Sequence, residues 1–434
     1  MTTTAPAPTG EPCPTCATTT VALEHSDTPW CPACRWGLDR YDPVTVPWRG
    51  SRWLGRLGYT TAFRLDDGLR RALVADPTAA ARRSRAELVL VAISALIVLA
   101  SLACFVGAVL VWRTEWLIPV RFGVSVGLVL LGMFLRPRFD RVPRRELLRA
   151  EGAPNLRELL RRVAAEVGTP SPELVIVSPH TLNLAVGRSG LRGRPVLVIG
   201  LPLWLLLSPA MRQALLAHEL GHLVNRDPLR SALTGPAQRI FANAVTWTGG
   251  QNPWRRLGDD LDRAAQPGLG VMLVRLLLAL VNTVFATVQL AIDAVIMPDH
   301  RRAEYAADLV ARDVAGTAAT VAALDRLNVL GELTDGLVHD VVTRGPTDWL
   351  ALADRREALL ADGREVVRQA TRRRVDLWAT HPPSGMRASL VELLPEVPGR
   401  LEVDAELFAR IDTELSLWYD ESHRAILGAR EFLG

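Results

Sequence analysis

The sequence predicts an α+β chain, mostly helical, in which a four-cysteine unit and a hydrophobic hairpin precede a helical domain with a small β-sheet. Three observations carry this. Two Cys-x-x-Cys pairs stand near the N-terminus, two long apolar runs follow, and beyond them amphipathic helical spacing is interrupted by only a few short β-type runs. With 434 residues, 49% of them hydrophobic, the chain can bury a substantial core and leans toward a membrane protein with soluble parts. All 50 basic residues are arginine, scattered among 46 acids with no basic stripe interleaved with aromatics, which excludes a nucleic-acid role.

Residues 1–40 hold Cys13, Cys16, Cys31 and Cys34. Two knuckles of two thiols supply the four ligands of a structural zinc site, and a unit with so little core draws its folding energy from the metal. A redox dithiol or an iron site uses the same pattern. The N-terminus has neither a charged n-region nor an apolar stretch, so it does not read as a signal peptide. The thiols are therefore expected in the reducing cytosol, where such pairs more often bind metal than form disulfides. Residues 41–86, with "DDGLRRALVADP", read as a cytosolic linker with one or two short helices.

The runs 87–112 and 116–135 are each long enough to cross a bilayer, giving a transmembrane hairpin over 87–135. Arg82, Arg83 and Arg85 precede it, and Arg136, Arg138, Arg141, Arg144 and Arg145 follow. The positive-inside rule places both flanks in the cytoplasm, as expected of a multi-pass protein of the cell inner (plasma) membrane. The competing reading is a pair of buried helices in a soluble core.

From 146 to 434 a further domain is expected. "NLRELLRRVAAEVG" spaces its leucines as an amphipathic helix, "PELVIVSP" reads as a strand, and 180–200 reads as strand, Gly-rich turn, strand. Ser208 and Pro209 then start a helix running to about 225. The apolar run 268–297 is a single long segment carrying Arg275 and Asp293, which make a bilayer crossing costly. It is expected to be a helix or bent hairpin packed on, or dipping into, the cytosolic face of the membrane.

On the 209–225 helix, His218 and His222 lie one turn apart and can reach one ion, while Glu219 has the place of a general base that takes a proton from metal-activated water. Gly221 allows close approach of a neighbour. The alternative is a pair of ordinary core histidines. A catalytic zinc needs a third ligand and an open position. Glu304 is the best candidate, and Asp308 one turn on can accept the other ring N–H of a ligand histidine. Ala303, Ala306 and Ala307 favour tight helix packing there over a solvated acid pair. Asp227 is either a similar supporting carboxylate or a helix-end residue.

These pieces, HELGH at 218–222 with Asn225-Arg226-Asp227, RRAEYAAD at 301–308, THPPSGMR at 380–387 and, less closely, NLAVG at 183–187, resemble the M48 family of zinc metallopeptidases. The family is membrane-anchored and includes bacterial heat-shock proteases and relatives of the CAAX-prenyl protease. The resemblance covers roughly 146–395 together with the preceding hairpin. It implies a gluzincin-type metallopeptidase domain, with His218, His222 and Glu304 as zinc ligands and Glu219 as base. His381 and Arg387 are then expected near the metal, assisting the tetrahedral intermediate, although Arg387 can equally pair with a helix carboxylate. Strand 195–200 (Pro195, Val196, Leu197, Val198, Ile199, Gly200) resembles the edge strand that receives an extended substrate.

The function expected is a membrane-tethered zinc endopeptidase cutting membrane or misfolded proteins at the cytosolic face. Its partners would be a protein or peptide substrate and the lipid bilayer, with two Zn2+ ions, one catalytic and one in the four-cysteine unit. That unit lies outside the family's usual core and reads as an appended recognition or regulatory module with a possible protein partner. The alternative is a non-catalytic metal-binding adaptor or sensor on the same scaffold. Glu219 favours the enzyme, because a scaffold needs the histidines but not the base.

Overall fold

The computed structural model describes residues 6–24, 26–44, 52–81, 85–136, 148, 152–189, 194–224, 269–330, 348–359, 363–375, 381–422 and 424. The expected class holds: helices dominate, with two small sheets. The chain divides into two compact units, residues 1–82, 140–228 and 300–434 forming one, and residues 83–139 and 229–299 the other.

The first unit begins with an antiparallel hairpin, β1 (Ala7–Pro12) and β2 (Thr19–Ala22), between whose strands the first cysteine knuckle lies. Helix α1 (Arg52–Ala75) follows; its buried Tyr59, Ala62, Phe63, Asp66 and Leu73 recur at helical spacing and mark one inward face. The second unit contains α2 (Arg85–Leu110) and α3 (Ile118–Leu135), both long and apolar enough to cross a membrane. Their outer faces expose large apolar side chains such as Leu102, Val109, Ile118 and Leu130, which does not suit two buried helices of a soluble core. The two helices satisfy their polar groups on each other. Ser101 donates to the Gly132 carbonyl and Ser125 to that of Ala108, both at 2.8 Å.

In the first unit, α4 (Pro154–Val167) starts with proline in its first turn and ends on Gly168 at φ +81°, whose amide closes onto the Ala164 and Ala165 carbonyls. It buries Leu156, Leu159, Leu160 and Val163, the stripe its spacing predicts. Three strands follow: β3 (Leu174–Ser178), β4 (Leu184–Ser189) and β5 (Arg194–Gly200), in spatial order β3-β5-β4, with β5 parallel to β3 and antiparallel to β4. This corrects one expectation: 195–200 is the central strand, with both its edges already paired, so it cannot receive a substrate strand. Among the described residues the edge strands of this sheet are β3 and β4. Gly200 is obligatory, since a Cβ there would lie 2.0 Å from the Thr181 carbonyl oxygen.

Short α5 (Leu201–Leu205) leads into α6 (Pro209–Val224), which buries twelve residues between Met211 and Leu223, consistent with a central core helix. Ser208 caps it as expected, its hydroxyl accepting from the Met211 amide at 3.4 Å. Helix α7 (Leu269–Ala315) is unbroken, with Pro298 inside it. The 268–297 run is therefore no bent hairpin. It is the first part of the same helix that carries Glu304. Helices α8 (Thr317–Asn328), α9 (Trp349–Leu359), α10 (Arg364–Arg372), α11 (Ser384–Leu393) and α12 (Ala405–Leu415) complete the first unit.

Candidate active site

Helix α6 crosses α7 at Gly221, where an added Cβ would sit 3.2 Å from the Ala307 Cα and 3.3 Å from the Val310 Cβ. That closeness brings two turns of α6 against the Glu304 turn of α7. His218 Nε2 lies 3.5 Å from Glu304 Oε2, and His222 Nε2 lies 3.5 Å from Glu304 Oε1. One donor atom from each residue falls within 4.8 Å of the others, so the trio could hold a metal ion. The spacing favours a shared cation over direct hydrogen bonds. Ligands about 2.0–2.1 Å from a tetrahedral zinc lie roughly 3.3–3.5 Å apart, longer than an ordinary N–H···O contact. Glu304 Oε2 is buried and forms no hydrogen bond of good geometry, although charged and imidazole groups crowd it. A buried carboxylate oxygen aimed at two imidazoles, with no donor aligned on it, suits a metal ligand.

The polar groups behind the trio fix its geometry. Asp308 Oδ1 lies 3.0 Å from His218 Nδ1, leaving Nε2 to face Glu304. Arg387, in the first turn of α11, clamps Asp308 through two bonds, Nε to Oδ2 at 2.8 Å and Nη2 to Oδ1 at 2.6 Å. Its Nη2 is also 3.2 Å from the His218 ring. Burial, joined by Arg387, would lower the His218 pKa, but the adjoining Asp308 and Glu304 carboxylates outweigh both and lift it to about 9. Burial alone would raise Glu304, yet His218, His381 and Arg387 hold it well below the usual carboxylate range. Glu304 is thereby held in its ionised form, the form in which a carboxylate can ligate a metal.

Glu219 sits on α6 between the two histidines, and its Oε2 accepts the Val186 amide of β4 at 2.9 Å. The bond from the Gly200 amide to the Asn183 carbonyl sets the β4–β5 register. In that register the amides of Leu184, Val186 and Arg188 turn away from β5, toward the side on which Glu219 lies. His381, on the approach to α11 and 46% exposed, places Nδ1 2.7 Å from Glu304 Oε2.

Set against expectation, the structure gathers His218, Glu219, His222, Glu304, Asp308, His381 and Arg387 in one place. For Arg387 it shows the carboxylate pairing that was the alternative: Nε and Nη2 are engaged by Asp308 beside His218, while Nη1 lies 3.6 Å from Glu304 Oε2. Asp227 lies outside the described residues. The Val186 amide as the anchor of Glu219 was not foreseen; its only signal was the position of NLAVG in the sequence.

A second cluster forms at the N-terminus. Cys13 Sγ and Cys34 Sγ are 3.6 Å apart, and Cys16 Sγ and Cys31 Sγ 3.4 Å, while none of the four forms a disulfide. Thiolates 2.3 Å from a tetrahedral zinc stand about 3.8 Å apart, close to these separations. The knuckles present amides to their sulfurs, Thr15 to Cys13 at 3.4 Å and Cys34 to Cys31 at 3.5 Å. The residue after each knuckle, Ala17 and Arg35, takes a left-handed φ, of 59° and 63°. The two loops are thus built alike, and their sulfurs meet at one point.

Comparison with known proteins agrees with this geometry. The family model for peptidase family M48 matches residues 150–393, more than half the chain. The chain is 31% identical over 180 residues to a protease HtpX homolog of Thermococcus sibiricus, covering 40% of this chain and 56% of that protein. It is 32% identical over 174 residues to a protease HtpX homolog of Pelotomaculum thermopropionicum, covering 40% and 57%. It is 26% identical over 231 residues to protease HtpX of Pseudomonas aeruginosa strain LESB58, covering 48% and 72%. The chain thus spans little more than half the length of the first two of these relatives. No solved structure matches it.

Proposed function

The chain belongs to peptidase family M48, and from that premise we propose that it is a membrane-tethered zinc endopeptidase hydrolysing membrane or misfolded proteins at the cytosolic face. The observation that carries the reading is the placement of Glu219, tied to the β4 edge by the Val186 amide and flanked by the two histidines that face Glu304. A scaffold that only bound metal would have no use for a carboxylate so placed. His218, His222 and Glu304 would hold the ion, and Asp308 and Arg387 keep His218 in the required tautomer.

What zinc supplies in such a site is Lewis acidity toward a water and a carbonyl oxygen. Glu219, with Oε2 fixed by Val186, accepts the attacking water's proton and returns it to the leaving amine. The outward backbone of β4 on either side of Val186, whose amide Glu219 takes, would receive the substrate backbone as an added strand, a mode that reads main chain more than side chains. His381, the exposed member of the group, stands where it can donate a hydrogen bond to the substrate carbonyl oxygen. Arginines on both flanks of the α2–α3 hairpin support a cytoplasmic position for both soluble segments, and the two apolar helices support the tether. The four thiols would hold a second, structural zinc.

The test compares cleavage of an unfolded membrane substrate by wild type and Glu219→Gln, with bound zinc measured in both. Zinc should be retained and turnover should fall by about 10²–10⁴-fold, the scale of a general base. Equal cleavage by the two proteins would end the catalytic assignment, and zinc binding without cleavage in the wild type would favour an adaptor.

A further inference from the structure

Residues 1–82, which precede the family match, lie in the same compact unit as the candidate active site. Trp30, immediately before Cys31, is fully buried, and its indole N–H donates to Gln369 Oε1 at 3.0 Å. Gln369 Nε2 answers by donating to the Pro32 carbonyl, inside the second knuckle, at 3.0 Å. Arg373, 1% exposed, lies over the Trp30 ring at 4.9 Å and donates to the Thr28 carbonyl and hydroxyl. Arg35 pairs with Glu365 at the rim at 3.6 Å. Glu365, Gln369 and Arg373 follow one another at single-turn intervals, so one stripe of α10 and its C-terminal cap is given over to the four-cysteine unit.

The other side of α10 meets α11 with no slack. A Cβ on Gly385 would lie 2.4 Å from both the Arg368 carbonyl oxygen and the Thr371 hydroxyl. Two residues further on is Arg387, which holds Asp308 and through it His218. Helix α1 closes the circuit. Tyr59 donates to the Leu38 carbonyl at 3.4 Å, Asp67 pairs with Arg372 at 3.2 Å, and buried Asp66 pairs with Arg301, one turn before Glu304.

We propose that the four-cysteine unit is a metal-dependent brace on α10 and α11 that positions Arg387 and His381, and that its docked face is not free to recognise a partner. The proposal rests on reading the four thiols as a metal site; only its turnover arm rests on the peptidase reading. The knuckles enclose little apolar core of their own, so the metal sets where Trp30, Pro32 and Thr28 stand. Without it, Gln369 and Arg373 lose the partners that make their burial tolerable, and α10 must move. Packed as it is on Gly385, α11 moves with it.

The test uses the full-length protein in detergent, as wild type, Cys34→Ser, Arg373→Ala and Arg373→Lys. It measures metal content, the visible spectrum of the cobalt-loaded protein, hydrogen exchange of residues 364–372 and 384–393, and kcat and KM separately. Cys34→Ser should lose the thiolate-to-cobalt charge-transfer band while keeping metal at the histidine centre. Its exchange in both helices should rise by at least about tenfold, the scale of one lost buried contact, with kcat falling more than KM changes. Arg373→Ala should keep both metals yet show the same exchange and kcat changes, with Arg373→Lys recovering part of the loss. Unchanged exchange and kcat in Cys34→Ser would overturn the brace, as would an Arg373→Ala protein indistinguishable from wild type. Should the wild type cleave nothing, the peptidase reading fails while exchange and spectra still decide this proposal.

Discussion

The four-cysteine cluster and the His218–His222–Glu304 centre gather donors of similar reach by opposite means. The first draws all four ligands from one short stretch, presents them through two equivalent loops and aims backbone amides at the sulfurs. The second draws its ligands from two helices far apart in sequence and depends on groups that touch no metal: Asp308, Arg387 and the Gly221 crossing. Four equivalent thiols close a coordination sphere and leave nothing for chemistry. Three unlike donors would leave a bound zinc an open position for chemistry, and Glu219, tied to the β4 amide of Val186, stands beside them. The difference teaches that local spacing suffices for a structural centre, whereas a reactive one has to be held from several sides.

Breaking one centre while reading the other tests that contrast most severely. Glu304→Gln should lose the histidine-centre metal and all detectable hydrolysis while the thiolate spectrum stays intact. Loss of both signals together would show the two centres to be one cooperative unit. Arg387→Ala comes next, because it leaves the Asp308 carboxylate buried without its partner. We expect a cost of about 3–5 kcal/mol in chemical denaturation and about 10–100-fold weaker zinc binding. Were Arg387 instead a donor to the substrate, zinc affinity would be unchanged and only kcat would drop.

A pH experiment probes the α1 side of the same centre. Burial pushes the Asp66 carboxyl up to about 6, against the pull of Arg301. Folding then favours the neutral acid, so the contribution is fully present below about pH 4 and is lost as pH rises through about 6, an effect of about 2–3 kcal/mol. Denaturation midpoints measured from pH 4 to 7 should show this slope in wild type and not in Asp66→Asn. The smallest effect lies away from both centres. Asp404 caps α12, its side chain accepting from the Leu407 amide at 2.7 Å, and Asp404→Ala should cost about 1 kcal/mol with both metals retained. Any loss of metal in that variant would mean the centres are less well separated from the surrounding fold than their contacts indicate.

Much of this was legible before any coordinates. The histidine spacing, the pairing of Glu304 with Asp308 and the alanines that admit close packing follow from helical periodicity, a local rule. The assignment of 195–200 to an edge failed because strand order is not a local property: an apolar run such as PVLVIG suits a central strand as well as an edge. The role of Arg387 was ambiguous for the same reason, since nothing near it in sequence says which carboxylate it will meet.

By itself, then, the sequence determined which residues could gather to hold a metal, which stretches are apolar enough to span a bilayer, and that Glu219 stands between two histidines. Each of these depends on composition or on spacing within a few turns. The tertiary structure alone decided that β4 and not β5 offers its edge beside Glu219, that Arg387 serves Asp308, and that Trp30 is buried against Gln369 and Arg373. These are meetings between residues far apart in the chain. They are selected by the burial of many side chains at once, which no single stretch of sequence encodes.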